Sequence, residues 1–268
     1  MSNLYDYQGN VVAVGGSSAL DYDRTVKGVA HRGYSAVAPE NTLPAYKLAK
    51  NNGFFYVETD VSFTSDGVAV CLHDSTINRT SNGTGNINNL TWAQVQTYDF
   101  GSWKSANYAG TRIPSLEQFL ELCRDIILHP YIELKDSATY SQAQIEGLVD
   151  MVDEIGLTGK VTWISFSKTY LEYVKNYDQK ARLGYVCSGL SAANITAALA
   201  LKTSSNEVFI DTSAVTDSAA VLCINAGLPM EVWTIDSIAT ITSANPYITG
   251  FTSNSLLAGR VLYENSIS

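Results

Sequence analysis

Six ionisable residues follow apolar, strand-like runs of the chain, two after each of three runs. They are His31 and Arg32, Glu58 and Asp60, and Glu133 and Lys135. Residues i and i+2 of a strand point to the same face, so each glutamate projects together with the residue two positions later. The carboxyl ends of parallel strands meet at one edge, and we therefore expect all six side chains to converge there.

The three acids of this group predict a cation site. Glu58, Asp60 and Glu133 would repel one another and lose hydration among apolar neighbours unless a cation compensated them. Carboxylates without cysteine ligands form a hard oxygen site, which suits Mg²⁺, Ca²⁺ or Mn²⁺ rather than structural zinc. Arg32 and Lys135 add fixed positive charge beside it.

Histidine is scarce, since the chain has only three. His31 and His73 flank the acidic cluster. Two histidines in such a place suit a reaction that needs one base and one acid near neutral pH, as in displacement at phosphorus. His129 instead precedes Pro130 at the start of a strand, away from the cluster, and a structural role is predicted for it.

Short β-branched runs alternate with segments of helical periodicity from Lys27 onward. The predicted strands are 27–30, 55–61, 131–135, 161–165, 182–186, 207–211, 230–235 and 248–252. The predicted helices are 43–51, 115–127, 141–155, 168–176, 191–201 and 216–226. This alternation over 268 residues favours a (β/α)8 TIM barrel over an open doubly wound sheet, and it places the ionisable residues at the barrel's C-terminal mouth.

A ninth strand-like run, 68–72, follows the second strand after only Thr64-Ser-Asp-Gly67. A parallel crossover needs a dozen residues or more, so this run must return antiparallel as a hairpin. Centring the turn between Ser65 and Asp66 pairs Glu58 roughly with His73 and brings the histidine back to the level of the carboxylates. The segment that continues to Pro114 is too long for a plain loop and rich in aromatics. We expect a small insertion, about 64–114, that roofs the mouth.

Residues 1–24 are predicted to be a lead-in to the barrel domain of residues 25–268. Gln8-Gly9-Asn10 is typical of a short hairpin, and Gly15-Gly16-Ser17-Ser18 of a flexible linker. An oligomer could form through this lead-in.

Composition and charge exclude several classes of protein. With 46% hydrophobic and 16% charged residues, a disordered chain is excluded. The net charge of −9 argues against nucleic acid as a partner, because such binding neutralises many phosphates. A small anionic substrate stays compatible, since one bound divalent cation reverses the local field.

The four cysteines show no metal-binding spacing and lie in apolar stretches, so free, buried thiols are predicted. The N-terminus has no basic region followed by a long apolar core, and no run approaches the about 18 apolar residues of a membrane span. We expect a soluble, cytoplasmic protein without membrane insertion.

An ordered set of motifs resembles the glycerophosphodiester phosphodiesterases, a family of the phospholipase C-like barrel superfamily. The motifs are His31-Arg-Gly33 with Pro39-Glu-Asn-Thr42, Glu58-Thr-Asp60-Val with Thr64-Ser-Asp-Gly67 and His73-Asp74, Arg79-Thr80, Gly101-Ser-Trp103, Ile113-Pro114-Ser-Leu-Glu117, Ile132-Glu-Leu-Lys135, Ser165-Phe166 and Val232-Trp-Thr-Ile235. They extend over most of the chain.

The resemblance implies a (β/α)8 barrel with an insertion after the second strand, and it implies a role for each matching residue. The acid and base pair would be His31 and His73, the ligands of a divalent cation, Mg²⁺ or Ca²⁺, would be Glu58, Asp60 and Glu133, the phosphate would contact Arg32 and Lys135, and Trp233 would form an apolar wall. The implied activity is metal-dependent hydrolysis of glycerophosphodiesters to glycerol 3-phosphate and an alcohol.

One departure and two alternatives accompany this interpretation. Where the family usually has Thr-Asp and a proline, this chain has Ser253-Asn254-Ser-Leu256, which loses a negative charge. A lysophospholipase D-like activity on lipid-bearing diesters is a near alternative. A barrel module carried on a larger phage or cell-surface assembly is a second, suggested by the segment 4–11.

Overall fold

The computed structural model describes residues 4–5, 11–12, 26–136, 138–215, 217–237 and 248–255, with only the backbone for 4–5, 11–12 and 217–219. Most of the predicted lead-in, and the predicted domain beyond residue 255, lie outside the described residues. The two described lead-in strands pair antiparallel, Leu4 with Val12 and Tyr5 with Val11, as a hairpin requires.

Eight parallel strands form a closed barrel. The strands of the chain are β1 (Leu4–Tyr5), β2 (Val11–Val12), β3 (Lys27–Ala30), β4 (Tyr56–Phe63), β5 (Ala69–Cys71), β6 (His129–Leu134), β7 (Thr162–Ser165), β8 (Arg182–Cys187), β9 (Val208–Thr212), β10 (Met230–Val232) and β11 (Gly250–Ser253). β3 pairs in parallel with β11 on one side and with β4 on the other, which closes the ring. The predicted TIM barrel is confirmed, although the predicted strand 230–235 ends at Val232.

Helices follow the strands and cover the outside of the barrel. They are α1 (Leu43–Asn51), α3 (Leu116–Ile126), α4 (Gln142–Ile155), α5 (Lys168–Tyr177), α6 (Ala192–Leu199) and α7 (Asp217–Asn225), whereas the short helix α2 (Trp92–Val95) belongs to the insertion. α3 begins with a capping box in which Ser115 and Gln118 each accept a hydrogen bond from the other's backbone N–H. Its buried residues, at helical spacing, are Leu116, Phe119, Leu120 and Cys123. Burial of each large side chain contributes about 1.5 to 3 kcal/mol.

The alternation along the strands separates two cores. In β4, Val57 and Val61 join the layer between strands and helices. Glu58 and Asp60 have the other parity and point into the barrel. The barrel interior is closed by an apolar layer of Val29, Tyr131, Ile164, Val186 and Phe209. The acids therefore lie above a packed layer of apolar side chains, and the barrel has no open pore beneath them.

The hairpin after β4 forms, with a register one residue away from the predicted one. Val61 pairs with Cys71, and the N–H of Thr64 donates to the carbonyl of Val68 at 3.0 Å. The loop thus has three residues and not two, because Gly67 at φ 84° adopts the left-handed conformation that such loops use. In this register position 73 lies opposite Thr59, and the predicted pairing of Glu58 with His73 is wrong by one residue.

The insertion has a hydrophobic cluster of its own. Its buried members are Val70, Leu72, Ile77, Ile87, Val95, Phe100 and Ile113. It contacts the barrel rim through Lys104, whose Nζ donates to the carbonyl of Ser35 at 2.6 Å. The segment lies beside the mouth and does not roof it, since the described residues that line the mouth cavity include none between 76 and 114.

Two further predictions concern the rest of the barrel. All four cysteines are free and buried. His129 begins β6 at the N-terminal end of the barrel and packs on Tyr56 with ring centroids 5.3 Å apart. Among the described helices, none has the length and apolar content needed to cross a bilayer.

Candidate active site

The turn after β3 brings His31 and Arg32 over the mouth. Arg32 and Gly33 have positive φ angles of 56° and 81°, and the Arg32 N–H donates to Glu58 Oε2 at 2.8 Å. A Cβ at position 33 would lie 2.7 Å from the backbone of Ala45. Glycine is therefore required both by the backbone conformation and by the close approach of α1.

Three acids from two neighbouring strands meet below this turn. Glu58, Asp60 and Glu133 each offer a carboxylate oxygen, and these oxygens lie within 4.8 Å of one another. All three residues are buried. Among the described residues, Glu58 Oε1 and Asp60 Oδ1 have no hydrogen-bond partner. Buried oxygens of this kind fit a hard divalent cation, whose preferred ligands are carboxylates.

Two cations flank the acids without balancing them. Arg32 Nε lies 3.3 Å from Asp60 Oδ2, and Lys135 Nζ lies 2.8 Å from Glu133 Oε1 and 3.5 Å from Asp60 Oδ1. Burial would raise the pKa of Asp60, but Arg32 and Lys135 outweigh it and hold that pKa well below its usual range. Burial and Asp60 raise the pKa of Glu58, and they raise that of Glu133 to about 7.

Asn41 orients the carboxylate of Asp60 within this cluster, and its role was not predicted. It has a positive φ of 55°, and its Nδ2 donates to Asp60 Oδ2 at 2.8 Å. Its Oδ1 accepts from the hydroxyls of Thr59 at 3.1 Å and Tyr46 at 3.3 Å. One buried amide thus holds Asp60 from the side opposite Lys135.

His31 lies at the mouth with an amide as its partner. Its Nδ1 is 2.9 Å from Oδ1 of Asn254, which follows β11. Burial lowers the pKa of His31 to about 4, and the positive charge of Arg32 acts in the same direction. The imidazole is therefore neutral at neutral pH.

His73 differs from His31 because a carboxylate is its partner. Its Nδ1 is 2.7 Å from Asp74 Oδ1, and Asp74 also accepts from Arg79 Nε at 2.7 Å. Arg79 pairs in turn with Glu40 at 2.7 Å, and Glu40 with Arg32 at 2.8 Å. A chain of charged groups thus connects the two sides of the mouth.

These residues line one cavity of about 210 Å³. Its charged side carries His31, Arg32, Glu58, His73, Glu133 and Lys135. Its apolar side includes Trp233 and Phe166, whose rings meet edge to face at 5.6 Å. Asp211 also lines it, fully buried, with a pKa raised by burial and by Glu231. A second cavity of about 300 Å³ lies beside it and shares His73 and Lys135.

The fold brings all eight predicted site residues together. Seven line the cavity, and Asp60 lies behind them, where it forms ion pairs with Arg32 and Lys135 and accepts a hydrogen bond from Asn41. Several further residues of the mouth had no role predicted from the sequence: Glu40, Asn41, Asp74, Arg79, Asp211 and Asn254. All of these except Asp211 and Asn254 lie within the quoted motifs, which is the signal that pointed to them.

A model of the Glycerophosphoryl diester phosphodiesterase family matches residues 31–249. The chain is 34% identical to the glycerophosphodiester phosphodiesterase of Caldanaerobacter subterraneus subsp. tengcongensis over 59% of this chain and 66% of that protein. It is also 34% identical to glycerophosphodiester phosphodiesterase 1 of Mus musculus, over 58% of this chain and 47% of that protein. The chain therefore spans less than two thirds of the length of these relatives.

Solved structures agree with this match over nearly the whole barrel. The glycerophosphodiester phosphodiesterase of Agrobacterium tumefaciens superposes with a TM-score of 0.73 at 26% identity, covering 89% of this chain and 99% of that one. A phosphodiesterase of Oleispira antarctica, in complex with the product sn-glycerol-3-phosphate, superposes with a TM-score of 0.75 at 24% identity, covering 90% of this chain and 96% of that one.

Proposed function

Since the chain belongs to the glycerophosphoryl diester phosphodiesterase family, we propose that it hydrolyses glycerophosphodiesters to glycerol 3-phosphate and an alcohol. The observation that carries the proposal is the mouth cavity, where two histidines and a cluster of three carboxylates face one space. The product named for the Oleispira antarctica phosphodiesterase supports the same chemistry.

The carboxylates of Glu58, Asp60 and Glu133 are proposed to hold one divalent cation, Mg²⁺ or Ca²⁺, with Mn²⁺ as a further option. The oxygens of Glu58 and Asp60 that lack a hydrogen-bond partner support this assignment. When bound, such an ion supplies Lewis-acid polarisation of a phosphoryl oxygen. Arg32 and Lys135 line the same cavity and are proposed to stabilise the charge that develops on the phosphorus oxygens.

The two histidines are proposed to divide the proton transfers. The attacking hydroxyl, of water or of the substrate's own glycerol, forms a bond to phosphorus while the bond to the alcohol oxygen breaks. His31, which is neutral and buried, accepts the proton that the nucleophile loses. His73, whose partner is the Asp74 carboxylate, gives its proton to the departing alkoxide. With the glycerol hydroxyl as nucleophile, the product is a cyclic phosphate that water then opens.

The apolar side of the cavity is proposed to orient the substrate. Trp233 is fixed by its edge-to-face contact with Phe166 and by a hydrogen bond from Nε1 to the Asp211 carbonyl at 3.4 Å. Its ring offers a wall for the carbon skeleton of the glycerol. His73 lies between the two cavities, so the departing alcohol is proposed to extend toward the second one.

A panel of glycerophosphodiesters with choline, ethanolamine, glycerol and inositol head groups, each with and without Mg²⁺ or Ca²⁺, tests the activity. We expect metal-dependent release of glycerol 3-phosphate. His31→Ala and His73→Ala should each lose turnover while thermal unfolding stays nearly unchanged. His129→Ala, at the opposite end of the barrel, is the matched control. Turnover that survives in either mouth variant contradicts the assignment, and a faster reaction on a lysolipid included in the panel favours the lysophospholipase D-like activity.

The lead-in is proposed to serve assembly and not catalysis, because all eight predicted site residues lie between positions 31 and 233 of the sequence. Deletion of residues 1–24 tests this. A changed oligomeric state with unchanged turnover is the expected result, whereas loss of turnover in a folded protein contradicts it.

A further inference from the structure

Asn254 has a complete set of polar partners at the mouth. Its Oδ1 lies 2.9 Å from His31 Nδ1 and accepts from Ser35 Oγ at 2.8 Å. Its backbone N–H donates to Asp236 Oδ1 at 2.7 Å, and its Nδ2 donates to Asp236 Oδ2. The Asp236 carboxylate thus accepts two hydrogen bonds from Asn254, and it also accepts one from Ser253 Oγ at 2.8 Å.

These contacts determine which way the amide faces. An ionised carboxylate only accepts hydrogen bonds, so the group that faces Asp236 must be the amide NH₂. The amide oxygen must then face His31. Because that oxygen also only accepts, His31 Nδ1 must carry the proton, which leaves the lone pair on Nε2.

We propose that Asn254, held by Asp236, is a positioning residue that keeps His31 in the Nδ1–H tautomer with Nε2 free to accept a proton. This inference rests on the proposed function of His31 and deepens it. The chain Asp236–Asn254–His31 connects residues that are 18 and 223 positions apart in sequence, and only the closure of the barrel brings them together.

The choice of an amide has a physical reason in the same contacts. A carboxylate at position 254 would face the Asp236 carboxylate across the contact that Nδ2 now makes, and two carboxylates that close repel each other. An amide offers one donor to Asp236 and one acceptor to His31. It also brings no negative charge next to His31, whereas the partner of His73 is the carboxylate of Asp74.

Imidazole ¹⁵N spectroscopy of the metal-loaded, full chain reads the tautomer without reference to turnover. The chain has only three histidines, and His73→Gln and His129→Gln variants assign the signals. We expect the His31 signals of an Nδ1–H tautomer. In Asn254→Leu, and separately in Asp236→Asn, we expect a mixture of tautomers. A wild-type His31 with the proton on Nε2, or signals that neither substitution alters, overturns the proposal.

Kinetics with a compensating pair tests the same chain of contacts. Asn254→Leu should lower kcat about 100-fold with KM within about threefold, as loss of a partner that orients a site residue does. Asn254→Asp alone should also be impaired, and adding Asp236→Asn should restore kcat to within about tenfold of wild type. Asn107→Leu, an exposed residue of the insertion, is the control that should leave kcat unchanged.

The outcomes separate this inference from the proposed function. Wild-type protein without turnover on any diester, but with the expected tautomer, contradicts the function and supports the positioning role. Normal turnover in Asn254→Leu, or a double variant no better than Asn254→Asp, contradicts the positioning role and leaves the function intact.

Discussion

Two clusters of charge lie at opposite ends of the same barrel, and they are built differently. The mouth cluster consists of Arg32, Glu58, Asp60, Glu133 and Lys135. The floor cluster, at the N-terminal end, consists of Lys27, Tyr131, Arg182, Glu207 and Glu231. Both draw on side chains of barrel strands or of the residues beside them, and both contain two cations.

Hydrogen bonds connect most groups of the floor cluster, and among its described side chains one buried oxygen, Glu231 Oε2, has no hydrogen-bond partner. Arg182 donates to Glu231 at 2.7 Å, to the Tyr131 hydroxyl at 2.6 Å and to Thr162 at 2.9 Å. The Cζ atom of Arg182 also lies over the Phe209 ring, 4.5 Å from the centroid. Two carboxylates, Glu207 and Glu231, match the charges of Arg182 and Lys27.

The mouth cluster has three carboxylates against two cations, and its acids crowd within 4.8 Å of one another. Burial and the neighbouring acids raise the pKa values of Glu58 and Glu133. A folded chain tolerates such a cluster only at a cost in stability. Both clusters contain acidic and basic side chains, so residue type does not distinguish the candidate site from the structural network. The balance of charge within each cluster distinguishes them.

The largest expected effect comes from relieving the imbalance at the mouth. Glu58→Gln removes one carboxylate and keeps the shape of the side chain. We expect turnover to fall by more than about 1,000-fold, because the cation loses a carboxylate ligand. The midpoint of thermal unfolding should stay equal or rise by a few degrees, because the repulsion between the acids is reduced. Turnover assays and calorimetry measure the two effects. A variant with nearly full activity, or one that unfolds many degrees earlier, contradicts the comparison.

The opposite change is expected at the floor. Arg182→Met leaves the buried Glu231 with only Lys27, at 4.0 Å, as a cationic partner, and breaking a buried ion pair typically lowers the free energy of unfolding by about 3 to 5 kcal/mol. We expect kcat of the folded fraction to stay within about twofold of wild type. Urea unfolding and turnover at low temperature measure this.

Two controls accompany the floor variant. Arg124→Met removes an exposed ion pair with Asp125 and should change stability very little. Combining Arg182→Met with Glu231→Gln should recover part of the lost stability, since no charge is then left alone. A floor variant that loses turnover but not stability would show that the two ends are not separate in role.

Binding of the cation should distinguish the clusters next. At a concentration about 100 times its Kd, Mg²⁺ or Ca²⁺ is expected to stabilise the fold by about 2.7 kcal/mol. This shift should persist in Arg182→Met and disappear in Glu58→Gln, and chelation should abolish turnover. Equal thermal shifts in Glu58→Gln and wild type would place the ion elsewhere.

The smallest effect is expected at the exposed rim of the mouth, in Arg79→Met. Hydrogen bonding from Arg79 is the main cause that lowers the pKa of Asp74 to about 2, against burial, which raises it. Without Arg79 that pKa rises toward its ordinary value of about 3.9. We expect a loss of less than about tenfold at pH 7, and a larger loss near pH 4, where Asp74 becomes partly protonated and supports His73 less.

The sign of the stability effect follows from the same shift. A depressed pKa contributes stability above the unfolded pKa, and this contribution is lost as the pH falls through the folded pKa. Wild type should therefore keep more of its stability than Arg79→Met between about pH 4 and 2. Profiles of activity and of urea unfolding against pH measure both. Profiles that coincide at every pH contradict the expectation.

The sequence allowed the barrel to be predicted because its signals are local. Short β-branched runs, helical periodicity and capping residues such as Ser115 placed most strands and helices within one or two residues of their observed bounds. The hairpin register was wrong because the turn residues allow both a two- and a three-residue loop. Only the backbone at Gly67 decides between them.

The site was predictable to the same depth and no further. Strand parity indicated that Glu58, Asp60 and Glu133 would meet, and they do. The partners that orient them could not be found in this way, because Asn41 reaches Asp60 from a turn, and Asn254 reaches His31 across 223 positions. The role of Asp211 could not be predicted, because it is a single acid in the apolar strand β9 and has no second ionisable residue at a telling spacing.

The insertion leaves and rejoins the barrel at almost the same point, since the Cys71 N–H donates to the Pro114 carbonyl at 3.1 Å and Val70 pairs with Ser115. A loop whose ends are already fastened together adds little closure entropy when its length changes, about 0.6 kcal/mol for each doubling. Because it also has its own apolar cluster, this segment is a module that evolution or a designer can exchange. Such exchanges would alter the surroundings of the second cavity, to which Asn86, Ile87 and Asn88 contribute, and leave the acids of the mouth in place.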